Sequence, residues 1–291
     1  MYYIVYGFLW LVSLIPMRIL YFFSDGVYVL IYYVFKYRRD VVESNLKHAF
    51  PEKSELERTK IAKKFYHNFI DTFIEAIKLL SASDKFLAKR FTANWEVINA
   101  LSPTGKSVQL HLGHNFNWEW GNVVANKKLD YTFLGVYMPL RNKIFNRLFK
   151  SIRSRSGTKL LSAKNMARDF APYSNTKYLL GLVADQNPGN HANCLWFNFL
   201  NRPTPFVNNP AKKAVANKLA VIFAFIHKPK RGYYEAVFTL VEEDASTTTE
   251  VELTKKFVHY LEDVIHQYPD MWLWSHRRWK REWKEEYGPV L

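Results

Sequence analysis

The sequence has a single cysteine, Cys194, among its 291 residues. One cysteine excludes an internal disulfide framework and any zinc cluster built from several cysteines, and a reducing, cytoplasm-facing location is the simplest interpretation. The sequence also lacks a G-x-S-x-G motif and a G-x-x-x-x-G-K-[ST] loop, so it has neither a serine-hydrolase elbow nor a phosphate-binding loop.

Acidic residues are scarce, because the sequence has 26 Asp and Glu residues against 41 Lys and Arg residues. The formal net charge is therefore +15. Such a charge favours a negatively charged partner, which is nucleic acid, an anionic membrane surface, or an acidic protein or lipid head group. The first 17 residues contain no charged side chain. Because an apolar N-terminus suits a membrane and no nucleic-acid-binding module is recognisable, we expect a membrane partner and no nucleic acid.

The N-terminal segment, residues 1–36, is interpreted as a membrane anchor. Two apolar runs, 1–17 and 26–35, are followed by the basic cluster Lys36, Arg38 and Arg39. Seventeen helical residues reach about 26 Å, slightly less than the roughly 30 Å hydrocarbon core of a bilayer. The segment is therefore a short span or a helical hairpin in one leaflet, with the basic cluster on the cytoplasmic side. The alternative is an unusually aromatic pair of buried helices.

Residues 37–291 carry the pattern of one α/β domain. Ser54 and Glu57 form a capping box that begins a helix, and a last long helix begins at Thr249 and ends before Pro269. Short apolar runs predict strands at 107–113, 131–137, 178–184, 219–227 and 233–241. Strands that alternate with helices predict a mixed, largely parallel sheet flanked by helices, preceded here by an N-terminal membrane-anchoring helix or hairpin.

The stretch HLGHNFNWEW, residues 111–120, concentrates side chains that are able to do chemistry. His114 follows a predicted strand, at the sheet edge where open α/β folds bind ligands, whereas His111 lies inside the strand. Glu119 falls in the first turn of the next helix, and we expect its carboxylate to accept the Nδ1 proton and leave Nε2 of His114 as a general base. Zinc held by His111, His114 and Glu119 is disfavoured, because odd spacing on a strand turns the two histidines to opposite faces.

Five segments, in order, resemble the bacterial late acyltransferases of lipid A biosynthesis, the lauroyl/myristoyl type with a glycerolipid acyltransferase-like fold. HNFNWE resembles the H-x-x-x-x-[DE] catalytic motif of that family, which maps His114 as base and Glu119 as its partner. One such motif is weak evidence, whereas five in the right order are strong. The segments are RRDVVESNLKHAFPEKSELER (38–58), HNFNWE (114–119), VYMPLRN with RSRSG (136–157), VADQN (183–187) and WLWSHRRWK (272–280).

The resemblance implies an enzyme that moves a fatty acyl chain from acyl carrier protein to a hydroxyl of a lipid A precursor. It also implies a location at the cytoplasmic face of the inner membrane and a reaction without metal or organic cofactor. Asp185 and Gln186 follow a strand and share the sheet edge of His114, although the chain from Asn187 to Asn190 also has the composition of a simple turn. The candidates for substrate binding or for stabilising the oxyanion are Arg153, Arg155, Asp185, Gln186 and Asn117.

Between residues 141 and 168 the sequence has nine basic residues and no acidic one. Lys143, Arg147, Lys150 and Arg153 recur at helical spacing beside an apolar stripe, which predicts a basic amphipathic helix near a membrane surface. Such a helix attracts lipid phosphates or the acidic carrier protein, or it is a solvated face.

The match to the family departs after Asp185-Gln186, at residues 187 and 188. The alternative functions are therefore acyl transfer to another bacterial lipid, and non-catalytic lipid binding at a membrane surface.

Overall fold

The computed structural model describes residues 1–189 and 194–291, and within them the chain forms one large sheet and one hairpin. The strands are β1 (Phe91–Ala93), β2 (Val108–Leu112), β3 (Thr132–Tyr137), β4 (Lys159–Ser162), β5 (Tyr178–Val183), β6 (Cys194–Phe199), β7 (Arg202–Val207), β8 (Ala220–Lys230) and β9 (Tyr233–Glu242). The sheet has the order β1-β9-β8-β2-β5-β3-β4. Strands β8, β2, β5, β3 and β4 are mutually parallel, β9 is antiparallel to β8, and β1 is parallel to β9. Strands β6 and β7 form the separate antiparallel hairpin.

Helices cover the sheet and precede it. They are α1 (Tyr2–Leu14), α2 (Met17–Val29), α3 (Arg39–Ala49), α4 (Glu55–Lys78), α5 (Asp84–Ala88), α6 (Glu96–Asn99), α7 (Trp118–Ala125), α8 (Lys143–Ser154), α9 (Met166–Phe170), α10 (Asn209–Ala216) and α11 (Glu250–Gln267). Helix α2 continues into a π-helical turn, Leu30–Val34. The stretch Met17–Val34 is long and apolar enough to cross a membrane by length and composition.

The predicted fold class, α/β with a mixed and largely parallel sheet, is confirmed, and so are the main elements. Ser54 Oγ accepts from the Glu57 backbone N–H (3.3 Å) and a Glu57 carboxylate oxygen accepts from the Ser54 N–H (2.8 Å), so α4 begins at the expected capping box. Thr249 caps α11 in the expected position. The short strands β1 and β4 and the β6–β7 hairpin had not been predicted. Asn190, the end of the predicted turn, lies outside the described residues.

Strand β2 lies near the centre of the sheet and carries the chain to the candidate site. All five of its residues are buried, because β5 and β8 flank it and helices cover both faces. Leu110 and Leu112 line a cavity on one face. On the other face His111 stacks with Phe223 and meets the ring of Phe257 edge-on, and its Nε2 donates to Gln109 Oε1 (2.8 Å). Burial lowers the pKa of His111 to about 4, so this histidine is a neutral core residue.

Helix α4 connects the N-terminal helices to the sheet, because α1, α2 and α3 all pack against it. It is therefore buried on more than one side, and its interior carries polar residues as well as apolar ones: Asn68, Asp71, Thr72 and Glu75 are all buried. The sequence predicts one buried apolar stripe on this helix at steps of four residues, Ile61, Phe65, Phe69, Phe73 and Ile77, but Phe73 is 50% exposed. Because an α-helix has 3.6 residues per turn, residues taken at steps of four move progressively around it, and after several steps they no longer lie on the buried face.

Candidate active site

A tight turn, residues 113–117, joins β2 to α7 and places His114 at the edge of the sheet. Gly113 packs closely there, since a Cβ atom at this position would lie 2.6 Å from Leu261 Cδ1 and would force that side chain to shift. The turn rests on the C-terminal segment, because the Phe116 N–H donates to Met271 O (3.3 Å) and Asn115 forms a backbone bridge with Trp272. The neighbouring segments therefore hold the histidine in one position.

The imidazole of His114 is held by Asp185, which follows β5. Nδ1 of His114 is hydrogen-bonded to Asp185 Oδ1, and the His114 backbone N–H donates to Asp185 Oδ2 (2.8 Å). The indole N–H of Trp272 donates to the same Oδ2 atom (2.6 Å). Because a carboxylate accepts at Nδ1, the proton of a neutral imidazole lies on Nδ1, and Nε2 is left as an acceptor. Within the described part of the chain, Nε2 has no hydrogen-bond partner.

The charge state of Asp185 follows from its surroundings. Burial raises the pKa of its carboxyl, but the charge of His114, two hydrogen bonds from His114 and one from Trp272 outweigh that effect and lower the pKa to about 2. Asp185 is thus ionised at neutral pH although it is only 1% exposed. A buried, ionised acceptor of this kind orients an imidazole and stabilises it when it takes up a proton.

The expected contact between Glu119 and Nδ1 of His114 is wrong, because Asp185 occupies that position. Glu119 instead forms a two-pronged ion pair with Arg153 of α8: Nε donates to both carboxylate oxygens (3.1 and 3.0 Å) and Nη2 donates to Oε1 (2.5 Å). Glu119 is 3% exposed, and the guanidinium of Arg153 is partly exposed. Forked pairing fixes the plane of the guanidinium, so Glu119 acts directly on Arg153.

His114, Glu119 and Arg153 line one cavity of about 580 Å³ between α7 and the sheet. Among the described residues around it, Glu119 and Arg153 are the only ones with a fixed charge. The deep end, over β8, β9 and β1, is formed by buried apolar side chains, among them Phe91, Ala224, Ile226, Ala236 and Phe238. The mouth is formed by exposed side chains, among them Met138 (61% exposed) and Leu140 (46% exposed). This shape suits a long apolar chain that enters at the mouth and passes a polar centre.

Two other predicted ligands have structural partners instead. Arg155 donates to the backbone carbonyls of Leu79 and Ala82, where it caps the end of α4. Asn117 caps the start of α7 by accepting from the Trp120 N–H (3.2 Å), and its amide N–H donates to Glu75 (2.8 Å). The geometry therefore gives Arg155 and Asn117 structural contacts rather than the substrate contacts that were expected. Gln186 does line the cavity.

Glu75 is a buried carboxylate that sequence reasoning missed. It accepts from the hydroxyls of Tyr21 and Tyr234 (2.6 Å each) and from Asn117, so it joins α2, the sheet and the active-site turn. Burial, followed by the charge of Asp71, raises its pKa to about 7. The sequence does contain a sign of this role, namely a charged residue among the apolar positions of a helix. Carboxylates are almost never fully buried without partners, so such a residue indicates a buried polar contact.

The C-terminal Trp-His-Arg-Arg segment supports the loop after β5. Nε2 of His276 accepts from the Asn187 N–H (3.2 Å), and Arg278, fully buried, donates to Asn187 Oδ1 (3.0 Å) and Pro205 O (2.7 Å). Burial, followed by the nearby Arg278 charge, lowers the pKa of His276 to about 4, so it is neutral. The residue of this segment that donates directly to Asp185 is Trp272, not His276.

The comparison with protein families gives one match. The model of the family described as bacterial lipid A biosynthesis acyltransferase matches residues 1–281. The match includes the turn at His114, Asp185 after β5 and the segment around Trp272. No curated protein matches the chain.

Proposed function

The chain belongs to the bacterial lipid A biosynthesis acyltransferase family and is therefore an acyltransferase, and on that premise we propose the specific reaction. The donor is an acyl chain on acyl carrier protein, and the acceptor is a hydroxyl of a lipid A precursor. His114 is the general base. The observation that carries the proposal is the Nε2 atom of His114, which makes no hydrogen bond within the described residues and lies, oriented by Asp185, at the wall of a deep apolar cavity.

The proposed step is a direct transfer. Nε2 of His114 removes the proton from the acceptor hydroxyl while its oxygen attacks the carbonyl carbon of the donor thioester. The C–S bond then breaks, and the thiolate takes the proton back from the imidazolium. The ionised Asp185 stabilises the imidazolium while it exists. No nucleophile of the protein, metal or organic cofactor enters this balance.

Arg153 is proposed to stabilise the oxygen of the thioester as it becomes negative. Its Nε and Nη2 atoms are used by Glu119, and within the described residues Nη1 makes no hydrogen bond. The pair lies on the wall of the same cavity as His114. A positioned cation in a site with few other charges stabilises developing negative charge strongly, because little water screens it.

The two ends of the cavity suit the two substrates. The buried apolar end over β8, β9 and β1 is proposed to hold the acyl chain of the donor, since it excludes water around a hydrocarbon. The exposed basic residues of the β3–α8 region, among them Arg141, Lys143 and Lys150, are proposed to attract the acidic carrier protein or the lipid phosphates. We place the catalytic domain, residues 37–291, at the cytoplasmic face of the inner membrane.

The test is a turnover assay on the purified protein in detergent. Acyl carrier protein loaded with chains of several lengths is the donor, and tetra-acylated lipid A precursor and total bacterial lipid extract are offered in parallel as acceptors. We expect a gain of one acyl mass on the lipid A precursor by mass spectrometry. The parallel extract matters because Asn187 and Pro188, where the chain departs from the family pattern, line the cavity. A gain only on another lipid would refute the acceptor, and no gain from any thioester would refute the reaction.

A further inference from the structure

Residues 1–37 carry most of the large apolar side chains that the described residues expose. On α1 the outer face includes Ile4 (76% exposed), Phe8 (64%) and Leu11 (61%), and on α2 it includes Phe22 (75%) and Phe23 (54%). A continuous apolar surface of this size marks a contact with lipid or protein rather than with water. The remaining exposed members of this surface are Met1, Tyr3, Trp10, Leu14, Ile19, Val27, Val29, Leu30, Tyr33, Val34, Phe35 and Tyr37.

The opposite face of α2 carries polar side chains that bind the body of the protein. Tyr21 donates to Glu75 (2.6 Å) and Ser24 donates to Asp71 (2.7 Å), and both carboxylates belong to α4 and are buried. Arg231, in the turn after β8, pairs with Asp71 and with Asp25 of α2 (2.7 Å each). Swinging α2 across a bilayer would leave these buried charges without their partners, which is strongly unfavourable. Helix α2 therefore stays on the body.

The connection between α1 and α2 is also bound to the body. Lys78, near the end of α4, donates to the backbone carbonyls of Ser13 (2.7 Å) and Ile15 (3.1 Å), and Ser81 donates to Ser13 O (2.8 Å). A hairpin that crossed the bilayer, or α2 crossing alone, would carry this connection to the far head-group layer, roughly 30 Å away. A connection hydrogen-bonded to a lysine of the body stays on the side of the body.

The apolar surface continues to the mouth of the cavity. Arg147 of α8 lies over the ring of Tyr2 (4.0 Å to the centroid) and donates to the hydroxyl of Tyr3 (3.1 Å). Two residues earlier on α8, Phe145 is 45% exposed, and Met138 and Leu140 form the exposed mouth. Lipid that covers α1 is thus adjacent to the opening of the cavity.

Basic residues flank this surface. Arg18 follows the connection between α1 and α2, Lys36 and Arg38 follow the π-helical turn, and Arg141 and Lys143 begin the basic helix near the mouth, all of them exposed. Apolar side chains bordered by cations fit the interface of an anionic leaflet, where cations meet the head groups and apolar groups enter the acyl layer.

We propose that α1 and α2 lie side by side in a single leaflet of an anionic membrane, that neither helix crosses it, and that the cavity opens into that leaflet. The acyl chains of a lipid acceptor then pass from the leaflet to His114 without crossing water. The proposal rests on the membrane association that is part of the proposed function, but it concerns topology and does not depend on catalysis.

The test is cysteine labelling of the full chain bound to preformed vesicles of phosphatidylethanolamine and phosphatidylglycerol. In a Cys194→Ser background, Pro16→Cys reports the connection between α1 and α2, Lys36→Cys reports the end of the π-helical turn, and Lys213→Cys on exposed α10 is the body control. Arg18→Cys replaces Pro16→Cys if the latter fails to fold. A membrane-impermeant maleimide is added outside, with and without detergent.

We expect the ratio of labelling without detergent to labelling with detergent to be near unity at every position. A Pro16→Cys or Arg18→Cys protein that reacts only after detergent, while Lys36→Cys and Lys213→Cys react before it, would overturn the one-leaflet topology. Flotation of the unsubstituted protein with the same vesicles reports membrane association separately, and the turnover assay reports the reaction. A failure of topology is therefore distinguishable from a failure of the proposed function.

Discussion

The contact between His114 and Asp185 makes a specific prediction for the substitution Asp185→Asn. Asp185 Oδ2 accepts two hydrogen bonds, from the His114 N–H and from Trp272 Nε1, while Oδ1 accepts from Nδ1. Asparagine has a single side-chain oxygen, and the two donors hold it at the Oδ2 position. The amide NH₂ group then faces Nδ1 and donates to it, so the imidazole proton moves to Nε2. His114 is then no longer a base towards the acceptor.

The magnitude follows from the same hydrogen bonds. To restore the reactive tautomer, the amide has to turn its oxygen towards Nδ1, which leaves the two buried donors facing an NH₂ group. Each buried donor without a partner costs about 1–3 kcal/mol, so the reactive arrangement lies about 2–6 kcal/mol higher. At about 1.36 kcal/mol per factor of ten, kcat falls by roughly 30-fold to 3 × 10⁴-fold. The corresponding substitution in Ser-His-Asp triads lowers kcat about 10⁴-fold.

The assay is steady-state acyl transfer with both substrates varied. We expect kcat to fall and KM to change little, because Asp185 is buried behind the imidazole and is not part of the cavity wall. Asp263→Asn, the same change at an exposed position of α11, is the matched control and should keep wild-type rates. An Asp185→Asn protein that unfolds normally and keeps kcat within about tenfold of wild type would refute the orienting role of Asp185, since tautomer loss requires more.

Three further predictions test other parts of the site. Arg153→Met should lower kcat by about 10²–10³. Glu119→Gln should lower kcat by less, because it loosens the guanidinium without removing it. A rise in KM with unchanged kcat in both variants would show that Arg153 only binds substrate. Ala236→Leu, which fills the deep end of the cavity, should shift the preferred donor to a shorter chain without loss of the best rate, and an unchanged preference in a chain-length series would place the acyl chain elsewhere. Because burial and the charge of Asp71 raise the pKa of Glu75 from 4.5 to about 7, the folded state binds this proton more tightly than the unfolded state. Stability should therefore fall by about 3 kcal/mol as pH rises from about 4.5 to 7, in urea or thermal unfolding, and Glu75→Gln should flatten that slope; the same slope in both proteins would contradict the assignment.

Much of the fold could be predicted because its signals are local. The capping residues Ser54 and Thr249 satisfy the first N–H groups of their own helices, and alternating or continuous apolar runs mark strands wherever they pair. The three-residue strand β1 was missed because its partner, β9, lies far along the chain. The β6–β7 hairpin is local, but Pro203 and Pro205 in β7 argue against a strand when the sequence is read alone.

The candidate site likewise has a part that local sequence features predict and a part that depends on tertiary structure. His114 was predicted from a strand end, which is a local feature, and the geometry places it on the cavity wall. Its carboxylate partner was assigned to Glu119 by proximity in sequence, but tertiary structure brings Asp185 to Nδ1 from 71 residues away. Glu119 is turned instead towards Arg153 of a different helix. Sequence spacing shows which carboxylates are available to a histidine, and the packing of β2 beside β5 decides which one is used.

The most direct test of the central claim compares the purified protein with its His114→Ala variant in acyl transfer to a lipid A precursor. We expect the unsubstituted protein to add one acyl group. We expect His114→Ala, with unchanged thermal unfolding and unchanged vesicle flotation, to be slower by about 10²–10⁴, the usual contribution of a general base. A His114→Ala protein that transfers the acyl group at the wild-type rate would show that His114 is not the general base.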